Sequence, residues 1–378
     1  MTPGFPPAQG GVESHTGALV RELAAAGVDV RVLTARRGLR RAVDEVRGGV
    51  PVRVYPAWRT TALSISPRLL FAGLRARADV VHVHSYHAAC GFAALAGLVR
   101  PVVFTPHYHG DGHTPGAALL HRAYRFVGRV LFRASRAVIC VSAAEAAAVR
   151  AAVPAVAGRI AVLPNGVDTA AVRAAAPFPD EPPTVLSLGR LEPYKRVSAL
   201  LRAVPSLPAD AQVVVVGQGS QRAELEKLAA ELGVADRVRF LGVLDDAHVH
   251  RWLRTAKVLV SLSEHEAFGM APVEAACAGA RTVLSDIPAH RELVATYLGA
   301  TAAIVAPDAA ITAQRGAPGR AAVDVPDLGE TAAIVTPGAV ARAITAQLAA
   351  PGRVAVDVPD WPRIAAATLE VYRRESPA

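Results

Sequence analysis

The amino-acid sequence predicts an α/β protein with doubly wound parallel sheets, and three observations lead to this fold class. Short apolar runs alternate with helical patterns along all 378 residues. The runs are continuously apolar, which is typical of parallel strands buried on both faces. The chain is long enough for about two to three domains, and a proline-rich stretch at 173–183 interrupts the alternation once. We therefore expect two Rossmann-like domains joined at that stretch.

The expected strands form two sets with the same rhythm. The first set is Val28–Leu33, Val80–Val83, Val102–Thr105, Ala137–Val141 and Ile160–Leu163. The second set is Thr184–Leu188, Gln212–Val216, Val238–Leu241, Val258–Ser261 and Arg281–Leu284. Amphipathic segments such as Gln221–Leu232 supply the helices between them. Ligands of such folds bind at the carboxyl ends of the strands, so we expect a site in a cleft between the two halves.

Two irregularities interrupt this scheme. The first glycine loop follows the start of the chain so closely that at most Met1–Thr2 is left of the first strand, and we expect the natural start to lie upstream. Residues 301–360 contain an internal repeat, with TAAIV, AITAQ and AVDVPD each occurring twice. Two copies are too few for a solenoid, so we interpret them as a tandem duplication with one copy at the surface.

Composition limits the partners and the compartment. The formal net charge is +9, which suits an anionic substrate or a membrane surface. Only three of the 41 basic residues are lysines. The high arginine content reflects a bias of the whole composition, so the positive charge is weak evidence for nucleic-acid binding. We expect no nucleic-acid partner. Cys90, Cys140 and Cys277 sit among small apolar neighbours, as is typical of reduced thiols. We expect a cytoplasmic protein.

Two basic or glycine-rich segments are candidates for binding an anion. Gly10 and Gly11 precede a helix that the sequence predicts from about Val12, and a helix N-terminus favours negative charge. Arg190 and Lys195 follow the expected strand at 184–188, and a guanidinium fork with a point charge suits a diphosphate. The structural alternatives are an ordinary turn and a pair of solvated cations.

A third segment, SEHEAFGMAPVE (263–274), carries two carboxylates eight positions apart. We expect Pro272 at the first position of a helix, which would put Glu274 in the first helical turn and Glu266 in the preceding loop. Gly269 lets the backbone approach a ligand closely, with N–H groups facing it. Glu266 can accept hydrogen bonds from sugar hydroxyls and Glu274 from a ribose diol. The structural alternative is a pair of ordinary acids near a helix start.

Six motifs occur in order along nearly the whole chain. They are GGVESH near the start, LPNGVD (163–168), LGRLEPYKR (188–196), VVGQGS (215–220), RVRFLG (237–242) and SEHEAFGMAPVEAACAG (263–279). This ordered set resembles the retaining GT4 glycosyltransferases, or glycosyl transferases group 1, which have the GT-B fold of two Rossmann-like domains. Trp361 and residues 371–373 also resemble the closing helix of that family, which crosses back onto the first domain.

The resemblance implies a retaining hexosyltransferase that moves a sugar from a nucleotide-diphosphate sugar to an acceptor hydroxyl. The expected donor is a UDP- or GDP-sugar, the acceptor stays open, and no metal or other cofactor is expected. Residues 1–172 would bind the acceptor, residues 173–360 the nucleotide sugar, and residues 361–378 would form the closing helix.

The resemblance also implies roles for single residues. Arg190 and Lys195 match the diphosphate clamp of the family, Glu266 matches the carboxylate that holds the donor sugar, and His107 matches a histidine beside the reacting carbon. These four are the expected catalytic residues. The expected donor-binding residues are Gly11, Arg190, Lys195, Val243, Glu266, Phe268, Gly269, Met270 and Glu274. The expected acceptor-binding residues are Gly10, His15, His84 and His107.

Two further hypotheses come from the residues themselves. His107, His109, Asp111 and His113 nearly spell a metallohydrolase motif, so the alternative function is a zinc-dependent hydrolase. A predicted basic helix at 117–133 carries arginines on one side and apolar residues beside them, and it can provide peripheral contact with the inner face of a membrane. Its structural alternative is a core-packed helix with a solvated basic face.

Overall fold

The computed structural model describes residues 1–7, 10–59, 64–86, 89–98, 100–108, 128–306, 335–353 and 355–376. The chain divides into two compact units. Residues 1–166 and 359–378 form unit 1, and residues 167–358 form unit 2. The boundary between the units lies between Gly166 and Val167, whereas the sequence predicts one after residue 172.

Unit 1 is built on two larger sheets and one short antiparallel pair of strands, Trp58–Arg59 with Ser64–Ile65. Its strands are β1 Val32–Arg36, β2 Val43–Arg47, β3 Val50–Pro56, β4 Trp58–Arg59, β5 Ser64–Ile65, β6 Val81–His84, β7 Val102–Thr105, β8 Ala137–Cys140 and β9 Ile160–Val162. Among the described residues β1 pairs in parallel with β3, which pairs with β2 as an antiparallel hairpin. Strands β6, β7, β8 and β9 form a second, all-parallel sheet in that order.

Met1 and Thr2 lie between these two sheets. The Thr2 backbone N–H donates to the carbonyl of Leu33 in β1, and the Met1 carbonyl accepts from the N–H of His84 in β6, at 3.1 and 2.9 Å. The first two residues thus make strand-like hydrogen bonds to both of these sheets, at the position where the sequence predicts that most of a first strand is missing.

The helices of unit 1 before its boundary are α1 Gly11–Ala25, α2 Pro67–Arg75 and α3 Ala143–Ala152. Ser66 and Ser142 cap α2 and α3, because each hydroxyl accepts a hydrogen bond from the backbone N–H three residues later. Phe104 of β7 and Phe132 are buried in the core that these elements cover. Burial of large apolar side chains is the main term that holds such a unit together.

Unit 2 contains the sheet that the sequence predicts most closely. Its strands are β10 Thr184–Leu188, β11 Gln212–Val216, β12 Val238–Gly242, β13 Val258–Ser261, β14 Arg281–Ser285 and β15 Ala302–Val305. The order among the described residues is β12-β11-β10-β13-β14-β15, all parallel. This is the doubly wound 3-2-1-4-5-6 order, in which ligands bind where the order reverses. In unit 2 that point lies between the carboxyl ends of β10 and β13.

Seven helices of the described chain flank this sheet. They are α4 Thr169–Ala174, α5 Val197–Ala203, α6 Arg222–Glu231, α7 Asp246–Thr255, α8 Met270–Cys277, α9 Pro288–Leu293 and α10 Pro337–Ala349. Ile344 of α10 is fully buried in one core cluster with the sheet residues Val213, Val260 and Val283. The described part of the repeat region therefore supplies core, and the rest of the repeat, residues 307–334, lies outside the described residues.

Helix α11, Trp361–Glu375, belongs to unit 1 although it ends the chain. The carboxylate of Asp360 caps it by accepting from the N–H of Arg363, and Val371 is buried with Val103 and Ile139 of the parallel sheet. Gly166 allows the start of α11 to approach closely, because a Cβ at Gly166 would lie 2.7 Å from the backbone of Trp361.

The structure departs from two of the expected elements. The strand expected at Val28–Leu33 is wrong in its bounds and begins only at Val32, because the N–H of Val28 returns to the carbonyl of Leu23 to end α1. The hairpin of β2 and β3 was not predicted, although the buried Val50, Val52 and Val54 alternate with more exposed residues along β3. Most of the predicted basic helix at 117–133 lies outside the described residues, and residues 128–134 are helical. In the described segments, no helix has the length and apolar character that a bilayer span requires.

We predict that Gly166→Ala destabilises unit 1, because the new methyl group would overlap the backbone of Trp361. Overpacking of this kind costs on the order of 2 kcal/mol, or roughly 4–8 °C in Tm. The matched control is Gly158→Ala, where a Cβ would meet nothing within 4 Å. Melting of both variants at the wild-type temperature would contradict the placement of α11 against Gly166.

Candidate functional site

The loops that follow β10 and β13 meet at the reversal point of the unit 2 sheet. Lys195 lies in the first loop and Glu266 in the second, and the Lys195 Nζ is 2.5 Å from the Glu266 Oε1. The Glu264 N–H donates to the Tyr194 carbonyl at 2.8 Å, and Arg196 pairs with Glu264 at 2.7 Å. The sequence-predicted cation and carboxylate, 71 positions apart, are therefore direct partners.

Tyr194 joins the predicted cations to this cluster. The Arg190 Nη2 donates to the Tyr194 hydroxyl at 2.7 Å, and the Lys195 Nζ lies 5.4 Å from the centre of the Tyr194 ring. The Tyr194 ring also stacks with the ring of His265, with 4.9 Å between the ring centres. Arg190 itself is exposed, so its guanidinium can reach a ligand. Sequence reasoning missed Tyr194 and His265, although both stand next to predicted residues.

Glu266 is ionised in this setting. Burial raises its pKa, but the charge and hydrogen bond of Lys195 together with the hydroxyl of Ser263 outweigh burial, and the pKa lies below its usual range. The Ser263 Oγ donates to the same Oε1 at 2.8 Å. An ionised carboxylate accepts hydrogen bonds only, so Glu266 can hold ligand hydroxyl groups.

The segment after Glu266 turns into α8 through Gly269, whose φ of 102° suits glycine. The Phe268 side chain is buried, so this segment offers a ligand its backbone. The helix begins at Met270, and the expected position of Glu274 in the first turn is wrong: it is the fifth residue of α8. Pro272 is tolerated at the third position because the first N–H groups of a helix have no partner within it.

His290 was missed by sequence reasoning and is fully buried beside this segment. A Cβ at Gly269 would lie 3.7 Å from the His290 Cδ2. The His290 Nδ1 donates to the Ser285 carbonyl at 3.0 Å, and within the described part of the chain its Nε2 has no hydrogen-bond partner. Burial lowers the pKa of His290, so the ring is neutral and its Nε2 carries a lone pair. No motif signalled this residue.

Of the remaining predicted donor residues, Val243 and Glu274 belong to unit 2, whereas Gly11 belongs to unit 1. Val243 directly follows β12 and the residue is 46% exposed, so it can contact a base. Glu274 is partly buried in α8. Burial raises the pKa of Glu274 to about 7, and the charge of Asp246 adds to the effect.

In unit 1, three predicted acceptor residues converge. His84 ends β6, His107 follows β7 and His15 lies in α1, and one nitrogen from each ring lies within 4.8 Å of the others. His107 adopts a left-handed φ of 48°, and the buried Glu145 of α3 accepts the N–H of the next residue, Tyr108. This carboxylate, which the sequence analysis did not single out, positions the His107 segment.

His15 and His84 are neutral near pH 7. Burial lowers the pKa of His15 to about 4, against the hydrogen bond with Asn165 that raises it. Burial also holds the pKa of His84 well below its usual range, and the positive charges that its neighbours can carry lower it further. These two rings are therefore polar without being charged.

Gly10 and Gly11 mark the start of α1, as expected, with Gly10 as its N-cap and Glu13 as the acid of its first turn. A Cβ at Gly11 would meet nothing within 4 Å, so its backbone is accessible. Of the four residues in the zinc hypothesis, His107 belongs to the histidine cluster just described. The other three, His109, Asp111 and His113, lie outside the described residues.

Comparisons with known proteins agree on one family. Residues 9–171 match the model of Glycosyltransferase Family 4, and residues 168–316 match that of Glycosyl transferases group 1. The chain is 32% identical over 315 residues to a phosphatidyl-myo-inositol mannosyltransferase of Mycolicibacterium smegmatis, covering 76% of this chain and 75% of the relative. It is 29% identical over 320 residues to a GDP-mannose:cellobiosyl-diphosphopolyprenol alpha-mannosyltransferase of Komagataeibacter xylinus, covering 80% and 78%.

Solved structures show the same fold. Sucrose-phosphate synthase from Thermosynechococcus elongatus matches with a TM-score of 0.70 and 21% identity, over 99% of this chain and 97% of that one. Two Rossmann-like units with these loop motifs define a glycosyltransferase of the GT-B fold. The chain belongs to the GT4 glycosyltransferases, and it is a retaining hexosyltransferase that takes its sugar from a nucleotide-diphosphate sugar. The findings give no support to the zinc-hydrolase alternative.

We predict that the stability of the protein depends on the ionisation of Glu274. Its folded-state pKa of about 7 lies above the ordinary value of 4.5, so its protonated form favours folding, and this contribution is lost progressively as the pH rises from 4.5 through 7. Glu274→Gln should therefore raise Tm over wild type by at least about 2 °C near pH 8.5 and leave it unchanged near pH 4. The exposed Glu224→Gln is the control and should show no such pH dependence. A Glu274→Gln curve parallel to wild type would contradict the buried, protonated state.

Proposed function

We propose that unit 2 binds a GDP- or UDP-sugar at the carboxyl ends of β10, β12 and β13, with Arg190, Lys195 and Glu266 as its catalytic residues. The observation that carries this proposal is the contact between Lys195 and Glu266 at the reversal point of the sheet. This contact holds the Lys195 ammonium, which can bind a diphosphate, next to the Glu266 carboxylate, which can accept hydrogen bonds from sugar hydroxyls.

The two ends of the donor require opposite charges. The diphosphate gains negative charge as the sugar leaves, and Arg190 and Lys195 stabilise that charge. The hydroxyls of the sugar donate to Glu266, while the backbone from Phe268 to Met270 faces the ring. The ribose hydroxyls donate to Glu274, and Val243 contacts the base.

The reaction then needs few protein groups. The bond between the anomeric carbon and the β-phosphate oxygen breaks, and a bond from the same face of that carbon to the acceptor oxygen forms. The proton of the acceptor hydroxyl passes to the departing phosphate oxygen. This route uses no metal ion, so we propose that transfer proceeds in the presence of a chelator.

The acceptor side of the site is assigned to unit 1. Gly10, His15, His84 and His107 offer a backbone turn and neutral imidazoles, which exchange hydrogen bonds with hydroxyl groups in either direction. Among them, we propose His107 as the catalytic imidazole. A lipid-linked acceptor at the cytoplasmic face of a membrane agrees with the net charge of +9.

Substitution of Arg190 and of Glu266 tests these roles. Arg190→Ala should lower kcat by about a hundredfold, as the loss of one preorganised donor does elsewhere. Glu266→Ala should abolish most turnover while nucleotide alone binds with little change, because Glu266 contacts the sugar. Single-turnover transfer and nucleotide titrations measure the two effects.

The controls for these variants are Lys227→Ala and Glu226→Ala, which change exposed charges on α6. Both should keep wild-type transfer rates. Full turnover by Glu266→Ala would remove the sugar-holding role, and equal losses in the α6 variants would show that the effect is one of net charge.

A thermal-shift panel identifies the base. UDP, GDP and ADP are added separately with a chelator present, and one of the first two should raise Tm. A ligand at 100 times its Kd adds about 2.7 kcal/mol, or roughly 5–11 °C for a domain of this size. A rise with ADP alone would contradict the proposed donor, and a rise that the chelator removes would contradict metal-free binding.

A further inference from the structure

The three-histidine cluster of unit 1 has a property that sugar transfer does not require. His15, His84 and His107 come from a helix and from the ends of two neighbouring parallel strands, yet one nitrogen of each ring lies within 4.8 Å of the other two. The His15 ring stands edge-on to that of His107, with 5.0 Å between the centres at 82°, whereas the His84 and His107 rings are nearly parallel, with 5.8 Å between the centres at 24°. The closeness of the three nitrogens is therefore set by side chains from three separate elements.

The orientation of His15 is set by a second residue. Its Nδ1 lies 2.7 Å from the Asn165 Oδ1. An amide oxygen only accepts, so Nδ1 carries the proton and Nε2 carries the lone pair. Histidines that bind metals are held in this way, with the other ring nitrogen donating to an oxygen of the surrounding protein.

His82 supports the cluster without joining it. Both of its ring nitrogens are engaged, Nδ1 with the Tyr372 hydroxyl at 2.6 Å and Nε2 with the Thr105 hydroxyl at 2.7 Å. Its ring lies against that of His84, with 4.1 Å between the centres. His84 is thus packed between His82 and the other two imidazoles, which restricts its side-chain rotation.

We propose that His15, His84 and His107 form a binding site for one divalent late transition-metal ion, of which Zn²⁺ is the type. Three imidazole nitrogens suit Zn²⁺, Co²⁺ or Ni²⁺, whereas Mg²⁺ and Ca²⁺ take oxygen ligands. Three protein ligands with a water or substrate oxygen in the fourth place form a common tetrahedral zinc geometry. Zn–N bonds of about 2.0–2.1 Å hold nitrogens about 3.4 Å apart, so the rings move roughly 1 Å inward on binding.

The ion acts as an inhibitor of sugar transfer. Its three ligands are the imidazoles assigned to the acceptor, so the metal and the acceptor compete for the same nitrogens. This consequence rests on the proposed function of unit 1, but the metal site itself does not. The metal-free protein is the active form, in agreement with transfer in the presence of a chelator.

Cobalt substitution tests the site without any activity assay. Co²⁺ is added to untagged protein that has been stripped with a chelator, and we expect tetrahedral visible bands that saturate at one ion per chain and are displaced by Zn²⁺. His84→Asn should weaken binding at least tenfold, and Asn165→Ala should weaken it by about 10- to 100-fold. His248→Asn, a change at an exposed histidine of α7, is the control and should bind like wild type.

Folding is checked by the Tm gain that the variants show with the nucleotide that stabilises wild type, since that site lies in unit 2. If the nucleotide panel stabilises neither wild type nor variants, near-ultraviolet circular dichroism replaces it. Octahedral bands only, a stoichiometry above one that His248→Asn reduces, or wild-type affinity in folded His84→Asn would each overturn the metal site. Inhibition by Zn²⁺ that chelation reverses in wild type, and that persists unchanged in His84→Asn, would overturn the inhibitory role alone.

Discussion

The paired loops after β10 and β13 are the constraint on which the candidate site of unit 2 depends. Strand order places the two loops side by side, and then two ion pairs and a backbone hydrogen bond tie residues 194–196 to residues 264–266. Arg196 is buried and adopts a left-handed conformation, which the surrounding bonds hold. Because both loops are fixed to each other, a cation and a carboxylate stay in place before any ligand arrives, and binding energy is not spent on ordering them.

The two units use polar groups in opposite ways. Unit 2 keeps Glu266 ionised, because the charge and hydrogen bond of Lys195 outweigh the burial of that carboxylate. Unit 1 keeps His15 and His84 neutral by burial, and gains groups that can donate or accept. This division fits a reaction that moves negative charge onto a leaving diphosphate and a proton off a neutral hydroxyl.

Sequence patterns predict five of the six strands that the structure describes in the unit 2 sheet almost to the residue, because central parallel strands are continuous apolar runs; β15 at the edge, within the repeat region, was not predicted. Sequence patterns fail where a turn or a glycine, rather than the apolar pattern, sets the first residue of a helix or strand. The chain after α1 forms a turn that returns the Val28 N–H to Leu23, so β1 starts late. Gly269 caps α8, whose first residue, Met270, lies two positions before Pro272. Glu274 is therefore outside the first turn. The resemblance names Lys195 and Glu266 separately, but their contact depends on strand order, which no local pattern contains.

A sequence does not reveal which buried polar atoms have no hydrogen-bond partner. Among the described residues, this observation is most informative at the Nε2 of His290. Its Nδ1 is committed to the Ser285 carbonyl, so the neutral ring presents an acceptor nitrogen beside the segment that would face the donor sugar. A buried acceptor with no hydrogen bond is costly unless something supplies the proton. Glu266 also only accepts, so two acceptors stand beside the donors of this segment, which are the Lys195 ammonium and the first N–H groups of α8. Under the proposed function, the hydroxyl groups of the donor sugar are the complementary ligand for these two acceptors.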